Sequence, residues 1–205
     1  MSDPYNLNEL QIALDPSNPR HSLPPAMPPS AKVLDVGCGA GQSLMARFDD
    51  RVSFGIDIDL AALQMGRSLS NRICFTNGKA EALPYKDATF DFVYARVSLP
   101  YTNIPASIKE MRRILKAGGQ AWLALHPFSF TYRQALHSNY KGKIFFLYIV
   151  LNSLFLHCCQ WQWPFLGRYE SFQTESGIKR ILQANGFGDV SVECGRHFLV
   201  TARAQ

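Results

Sequence analysis

Dense charge is what this sequence lacks. Only 18% of its 205 residues are Asp, Glu, Lys or Arg, against 47% that are hydrophobic, so a substantial core can be buried and one globular domain, 1–205, is expected. Cysteine is scarce too. The five present (Cys38, Cys74, Cys158, Cys159, Cys194) are odd in number and show no CxxC spacing, which argues against a disulfide framework and fits a reducing cytoplasm; no metal is expected. No charged start followed by an apolar run and a cleavage site opens the chain, so secretion has no support. No Lys/Arg block stands out, and the net charge of +5 favours nucleic acid or an anionic membrane only weakly. A mildly basic soluble surface is the plainer reading.

Proline is present but gathered at one end. Pro4, Pro16, Pro19, Pro24, Pro25, Pro28 and Pro29 all fall within 1–30; each removes a backbone donor, leaving only 7–14 able to form a short helix. From Lys32 onward, apolar β-type runs at 33–36, 52–56, 73–76, 90–95 and 120–125 alternate with helix-period segments, the pattern of a parallel sheet covered on both faces. Asp59 can cap a helix running to about Ser70. Asn103, with Pro105 in the first turn, opens another that Gly118 and Gly119 close. Ile104, Ile108, Met111 and Leu115 line one face of that helix, while Lys109, Arg112, Arg113 and Lys116 take the others. The alternation breaks over 127–170 and resumes with Thr174 as a cap, an Ile178, Ile181, Leu182 stripe, and an Asn185-Gly186 stop. Runs at 190–193 and 198–202 around Gly195 read as a terminal antiparallel hairpin.

The chemistry begins in the first strand-to-helix turn. Missing side chains there let the backbone pass close to a ligand. The dinucleotide fingerprint GxGxxG is absent; the spacing is Gly37-x-Gly39-x-Gly41, with Asp35 two places before the first glycine. Such spacing suits a methionine chain better than a pyrophosphate and disfavours a nicotinamide oxidoreductase.

The run VLDVGCGAGQSL (33–44) resembles the first motif of the class I S-adenosylmethionine-dependent methyltransferases. FGIDID (54–59) is similar to the second strand of that family, which ends in an acid that takes both ribose hydroxyls. A carboxylate suits that task because it accepts several hydrogen bonds at once. NGKAEALP (77–84), FDFV (90–93) and RILKAGG (113–119) resemble, in order, the adenine loop, the fourth strand and the turn before the fifth. The likeness runs from about residue 32 to 125, and Gly186-Phe187 with the hairpin extends it to the end of the chain. It is greatest to the small-molecule branch, whose members act on quinones, lipids and diverse metabolites. The implied fold is α/β: a Rossmann-like three-layer sandwich with a mostly parallel seven-stranded sheet ending in an antiparallel hairpin. The implied cofactor is S-adenosyl-L-methionine, held by Asp35, Gly37, Cys38, Gly39, Gly41, Asp57, Ile58, Lys79 and Ala80, with Arg96 offered to the methionine carboxylate. One departure stands out. Lys79 occupies a place where the family usually carries an aspartate that accepts from the adenine amino group, and lysine has no acceptor there; weakened cofactor binding is expected.

Methyl transfer from a sulfonium needs an oriented acceptor and excluded water more than a fixed catalytic residue. Where a base is needed, Tyr101 and His126, just past two strands, are placed to serve. The family's proline pair plus aromatic for amide and amino-group methylation is absent; Val97-Ser-Leu-Pro-Tyr101 stands there instead. The apolar run at 144–159, followed by Trp161, Trp163 and Phe165, is read as a lid helix of the 127–170 insertion. It leaves three roles open: a cover for a small hydrophobic acceptor, a core or dimer contact, or an interfacial helix with Lys141 and Lys143 at lipid headgroups and the protein peripheral to a membrane. Two other functions stay open, a binding protein that has lost tight cofactor affinity and an RNA or protein methyltransferase using the basic helix.

Overall fold

Apolar runs without a polar face become strands buried on both sides. In the computed structural model, which describes residues 4–167, 169–195 and 197–205, seven strands make one sheet. They are β1 (Val33–Val36), β2 (Ser53–Asp57), β3 (Ile73–Asn77), β4 (Phe90–Arg96), β5 (Leu115–Leu125), β6 (Phe187–Cys194) and β7 (Phe198–Ala204). Their order is β3-β2-β1-β4-β5-β7-β6. The first five are parallel to one another, while β7 runs antiparallel to both β5 and β6. The helices are α1 (Pro4–Leu14), α2 (Gln42–Arg47), α3 (Leu60–Leu69), α4 (Ile104–Ile114), α5 (Phe128–Leu136), α6 (Tyr140–Cys159) and α7 (Glu175–Ala184).

Strand alternation sorts side chains into two cores. Val93 and Ala95 of β4 and Leu123 and Leu125 of β5 join Ile104, Ile108 and Met111 of α4 and Ile178 and Ile181 of α7. Tyr94 and Trp122 face the other way, with Leu44 of α2, Phe48 and Leu63 of α3. The result is the expected three-layer arrangement, in which helices cover both faces of a mostly parallel sheet. Side-chain caps start four of the helices: Asp59 accepts from the Ala61 and Ala62 amides, Asn103 from Ala106, Asn139 from Gly142, and Thr174 from Gly177.

Several boundaries differ from the sequence reading. α1 begins at Pro4 instead of residue 7, because a proline in the first helical turn forfeits no intrahelical bond. α4 ends at Ile114. Gly118 and Gly119 lie inside β5, since Leu115 is already extended and pairs with Phe90. β6 starts at Phe187 because that residue pairs with Ala204. The insertion contains two helices, α5 and a longer α6. Residues 1–3 of the proline-rich start, residue 168 of the insertion and residue 196 of the hairpin turn lie outside the described residues.

Candidate functional site

The C-terminal edge of a parallel sheet, where strands hand over to helices, is where such folds bind ligands. Here the turn after β1 is built from glycines in left-handed backbone conformations: Gly37 at φ +79°, Gly39 at +54° and Gly41 at +82°. The Gly37 and Cys38 amides both donate to the Ile56 carbonyl, at 2.8 and 3.1 Å, so the turn is pinned to the end of β2. A Cβ on Gly37 would lie 2.2 Å from Ser98 Cβ, which leaves the loop no slack on that side.

Asp57 ends β2 and organises both neighbouring turns. Its Oδ2 accepts from the Gly39 amide at 2.7 Å and its Oδ1 from the Asp59 amide at 2.8 Å. Each oxygen retains a second lone pair, and the residue lines the cavity described below. Asn77 braces the turn beneath, donating to the Asp57 and Ile58 carbonyls at 3.0 and 3.1 Å.

Asp35, 2% exposed, is the most perturbed acid. Its Oδ1 is buried without a partner, as is the hydroxyl of its cross-strand neighbour Tyr94. Burial pushes the Asp35 pKa up to about 7; the Tyr94 hydroxyl, close enough to act electrostatically though outside hydrogen-bond geometry, and the Arg96 charge pull the other way without offsetting it. Cys38 is driven well above the usual thiol range by the same burial, which makes it an inert wall residue.

The N-terminal helix closes over this loop. Gln42 Nε2 donates to the Asn6 side-chain and main-chain oxygens, at 2.8 and 3.2 Å. Glu9 is buried, and its Oε2 receives Arg96 Nη2 at 2.9 Å while Oε1 pairs with Arg20. The guanidinium offered on sequence grounds to the cofactor carboxylate therefore already holds a carboxylate of the chain itself. Glu9→Ala is expected to cost α1 about 1–3 kcal/mol of docking free energy, because it leaves Arg96 as a partly buried charge without its partner; faster amide exchange along α1, with the sheet unaffected, is the readout.

One cavity of about 950 Å³ runs from the glycine loop to the acceptor candidates, touching Gly37, Gly39, Asp57, Arg96, Tyr101 and His126. That is the upper end of the roughly 300–1,000 Å³ typical of small-molecule sites. The Tyr101 and His126 rings meet edge to face at 5.6 Å. Burial lowers the His126 pKa to about 4, and burial, with the Glu170 charge, raises Tyr101 to about 12. At neutral pH the imidazole is therefore uncharged and able to accept, and the phenol is protonated and able to donate. With so low a pKa, His126 is a weak base, effective only toward an acceptor proton that is itself acidic.

The structure thus brings together Asp35, Gly37, Cys38, Gly39, Asp57, Arg96, Tyr101 and His126 around one space. Gly41, Ile58, Lys79 and Ala80 lie outside its wall. Gly41 caps α2 and abuts Phe75, while Ile58 is 71% exposed at the rim. Sequence reasoning missed Asn6, Glu9 and Gln42, and also His197, which lines the cavity with its Nε2 buried and unpartnered. Gln42 lies within the 33–44 run, but Asn6, Glu9 and His197 sit in no recognisable motif; for the first two the only available signal was the weak helix at the N-terminus. The basic helix has a structural use: Arg113 pairs with Asp87 and Glu110, Lys116 with Asp91, and Arg112 donates to the Gly186 carbonyl. Three of the four cations read onto that helix, one of which (Lys116) stands in β5, are thereby held within the molecule, leaving little to bind RNA.

Comparison with known proteins agrees with this geometry. Residues 34–123 match the family model described as "Methyltransferase domain". The chain is 35% identical over 91 residues to malonyl-[acyl-carrier protein] O-methyltransferase of Erwinia pyrifoliae, covering 43% of this chain and 35% of that protein. It is 34% identical over 101 residues to demethylmenaquinone methyltransferase of Roseiflexus castenholzii, covering 46% and 42%. The chain therefore spans less than half the length of these curated relatives. The structure of magnesium protoporphyrin IX methyltransferase from Synechocystis PCC 6803, solved with bound SAH, superposes with a TM-score of 0.57 at 16% identity over 98% of this chain and 82% of that one; this likeness is one of fold.

Proposed function

We propose that the chain is a class I, Rossmann-like S-adenosylmethionine-dependent methyltransferase and that it transfers a methyl group to a small, apolar acceptor. The observation that carries the reading is the continuity of one cavity from the glycine loop and Asp57 to Tyr101 and His126, which lets donor and acceptor meet in one space. The residues fit the cofactor. A Cβ at Gly37 would close the cradle, Asp57 retains lone pairs for two ribose hydroxyls, and the orphaned Asp35 Oδ1 is a carboxylate without a partner where a cationic amino group would find one. S-adenosylmethionine would supply a methyl group activated by its sulfonium.

The chain's own residues would orient and exclude. Leu125, Phe198 and Val97 line the acceptor end together with Tyr101 and His126, so an apolar body with one polar atom suits it. The names of the two relatives, one for malonyl-[acyl-carrier protein] and one for demethylmenaquinone, support a small acceptor group without choosing it. Methylation of apolar acceptors alongside inertness of short polar analogues would support the finer reading; equal rates on both would sink it.

Lys79 favours a second reading, a methyltransferase-like binding protein of low cofactor affinity. Calorimetry with S-adenosylhomocysteine separates the two: the proposal expects saturable binding, tightened by Lys79→Asp about tenfold, the worth of one restored hydrogen bond. No heat from either protein would overturn the enzymatic reading.

A further inference from the structure

Helix α6 is apolar on both sides. Its face against the domain buries Tyr148, Ile149 and Leu156 together with two polar groups, Asn152 and Ser153, which are fully buried. Asn152 Nδ2 donates to the Glu170 carbonyl at 3.0 Å, and its Oδ1 accepts from the Trp163 amide at 3.1 Å. Ser153 Oγ accepts from the Phe172 amide at 3.0 Å, and a ring nitrogen of His157 lies 3.2 Å from the Phe172 carbonyl. The opposite face is apolar and open. Ile144, Leu147, Leu151, Leu154 and Phe155 are between 42% and 58% exposed, and their spacing of three and four residues aligns them in a stripe about 16 Å long. Trp161, in edge contact with Phe155, continues it past the helix end at 55% exposure, and Tyr132 and Leu136 of α5 flank it. A surface helix ordinarily turns polar or charged residues to solvent, so a contiguous exposed apolar surface of this kind marks an interaction site.

Charge says what covers it. From Met111 to Tyr169 the chain contains no aspartate or glutamate. Arg133 on α5 and Lys141 and Lys143 at the start of α6 are exposed, and none of them pairs with a carboxylate among the described residues. A second copy docking through this face would bring like charges together. We propose that α6 and α5 form a docking face for an anionic lipid bilayer, with α6 lying along the surface. The Ile144, Leu147, Leu151, Leu154 and Phe155 side chains enter the acyl boundary, Lys141, Lys143 and Arg133 sit among the headgroups, and Trp161 sits at the interface. Although α6 has the length and apolarity to cross a membrane, the hydrogen bonds of Asn152 and Ser153 tie its inner face to the domain. The face adjoins the site, since Ser129 and Arg133 of α5 also line the cavity. Docking does not depend on methyl transfer, so its test stands apart from that of the cofactor reading.

The test is flotation of the full chain with vesicles of phosphatidylcholine alone and of equal parts phosphatidylcholine and phosphatidylglycerol. Binding is expected to be roughly tenfold or more tighter on the mixed vesicles, with Lys141→Gln/Lys143→Gln removing most of that gain. Leu147→Ser/Leu151→Ser is expected to weaken binding to both by roughly tenfold or more. Where a variant fails to fold, the wild-type tryptophan emission serves instead, with a blue shift expected on adding mixed vesicles. The proposal is overturned by absence of wild-type flotation or blue shift, by equal affinity for both vesicle types, or by a solution dimer that the leucine substitutions dissociate.

Discussion

Gly37→Ala is expected to abolish measurable S-adenosylhomocysteine binding, a loss of about a hundredfold or more. Two costs combine. The φ of +79° lies in the left-handed region, where a Cβ costs roughly 1–2 kcal/mol. The larger cost is steric: the new Cβ would fall 2.2 Å from Ser98 Cβ. Ser98 cannot swing clear, because a Cβ moves only with its backbone, and its Oγ is bonded to the Val36 carbonyl at 2.5 Å. The strain must be relieved by separating the loop after β1 from the turn after β4, the two walls of the cavity. Ser98→Gly in the same chain removes the clash but not the φ penalty, so the double variant is expected to regain part of the affinity. Calorimetry on both variants checks this; unchanged affinity in Gly37→Ala would show that the loop does not touch the cofactor.

Asp35→Asn is expected to stabilise the ligand-free protein at pH 8 and to leave it nearly unchanged at pH 4. The folded chain holds the Asp35 proton more tightly than the unfolded one, its pKa rising from 3.8 to about 7 on burial. Stability from this group is therefore complete below about pH 4, is lost as the pH climbs toward 7, and is constant above. The ionised group costs about 2–4 kcal/mol at alkaline pH, which an uncharged asparagine of the same shape avoids. For a chain of this size the gain corresponds to roughly 5–10 °C in melting temperature at pH 8. A variant no more stable than its parent at pH 8 would refute the assignment. The same change is expected to weaken S-adenosylhomocysteine binding, since the carboxylate that burdens the empty site is the one a cationic ligand would relieve. Stability and function then oppose one another at a single side chain.

Much of the site was legible because its parts are local. A left-handed turn demands glycine at Gly37, Gly39 and Gly41, and the acid that ends β2 sits at a fixed step from them. Helix starts at Asp59, Asn103 and Thr174 were readable for the same reason, each cap answering to amides two or three residues away. The end of α4 was misread because Gly118 and Gly119 also suit a helix stop. Which use prevails depends on the pairing of Leu115 with Phe90, a contact that nothing in the local run announces.

The least legible features are those joining distant residues. Glu9 meets Arg96 across 87 positions, and Asn6 meets Gln42 across 36, so a helix that looked incidental in a proline-rich start becomes one wall of the site. The basic residues of α4 and the start of β5 looked like a surface for polyanions until Asp87, Asp91 and Glu110 were seen beside them. By itself, then, the sequence determined the alternation of strands and helices, the glycine cradle and the acid at Asp57, since periodicity, backbone conformation and capping act over a few residues. Tertiary structure alone decided that Arg96 holds Glu9, that Asp35 is stranded in a buried pocket, and that α6 buries Asn152 and Ser153 while Leu147, Leu151 and Leu154 face outward. Those outcomes depend on which distant groups packing brings together, and short-range pattern carries no record of that choice.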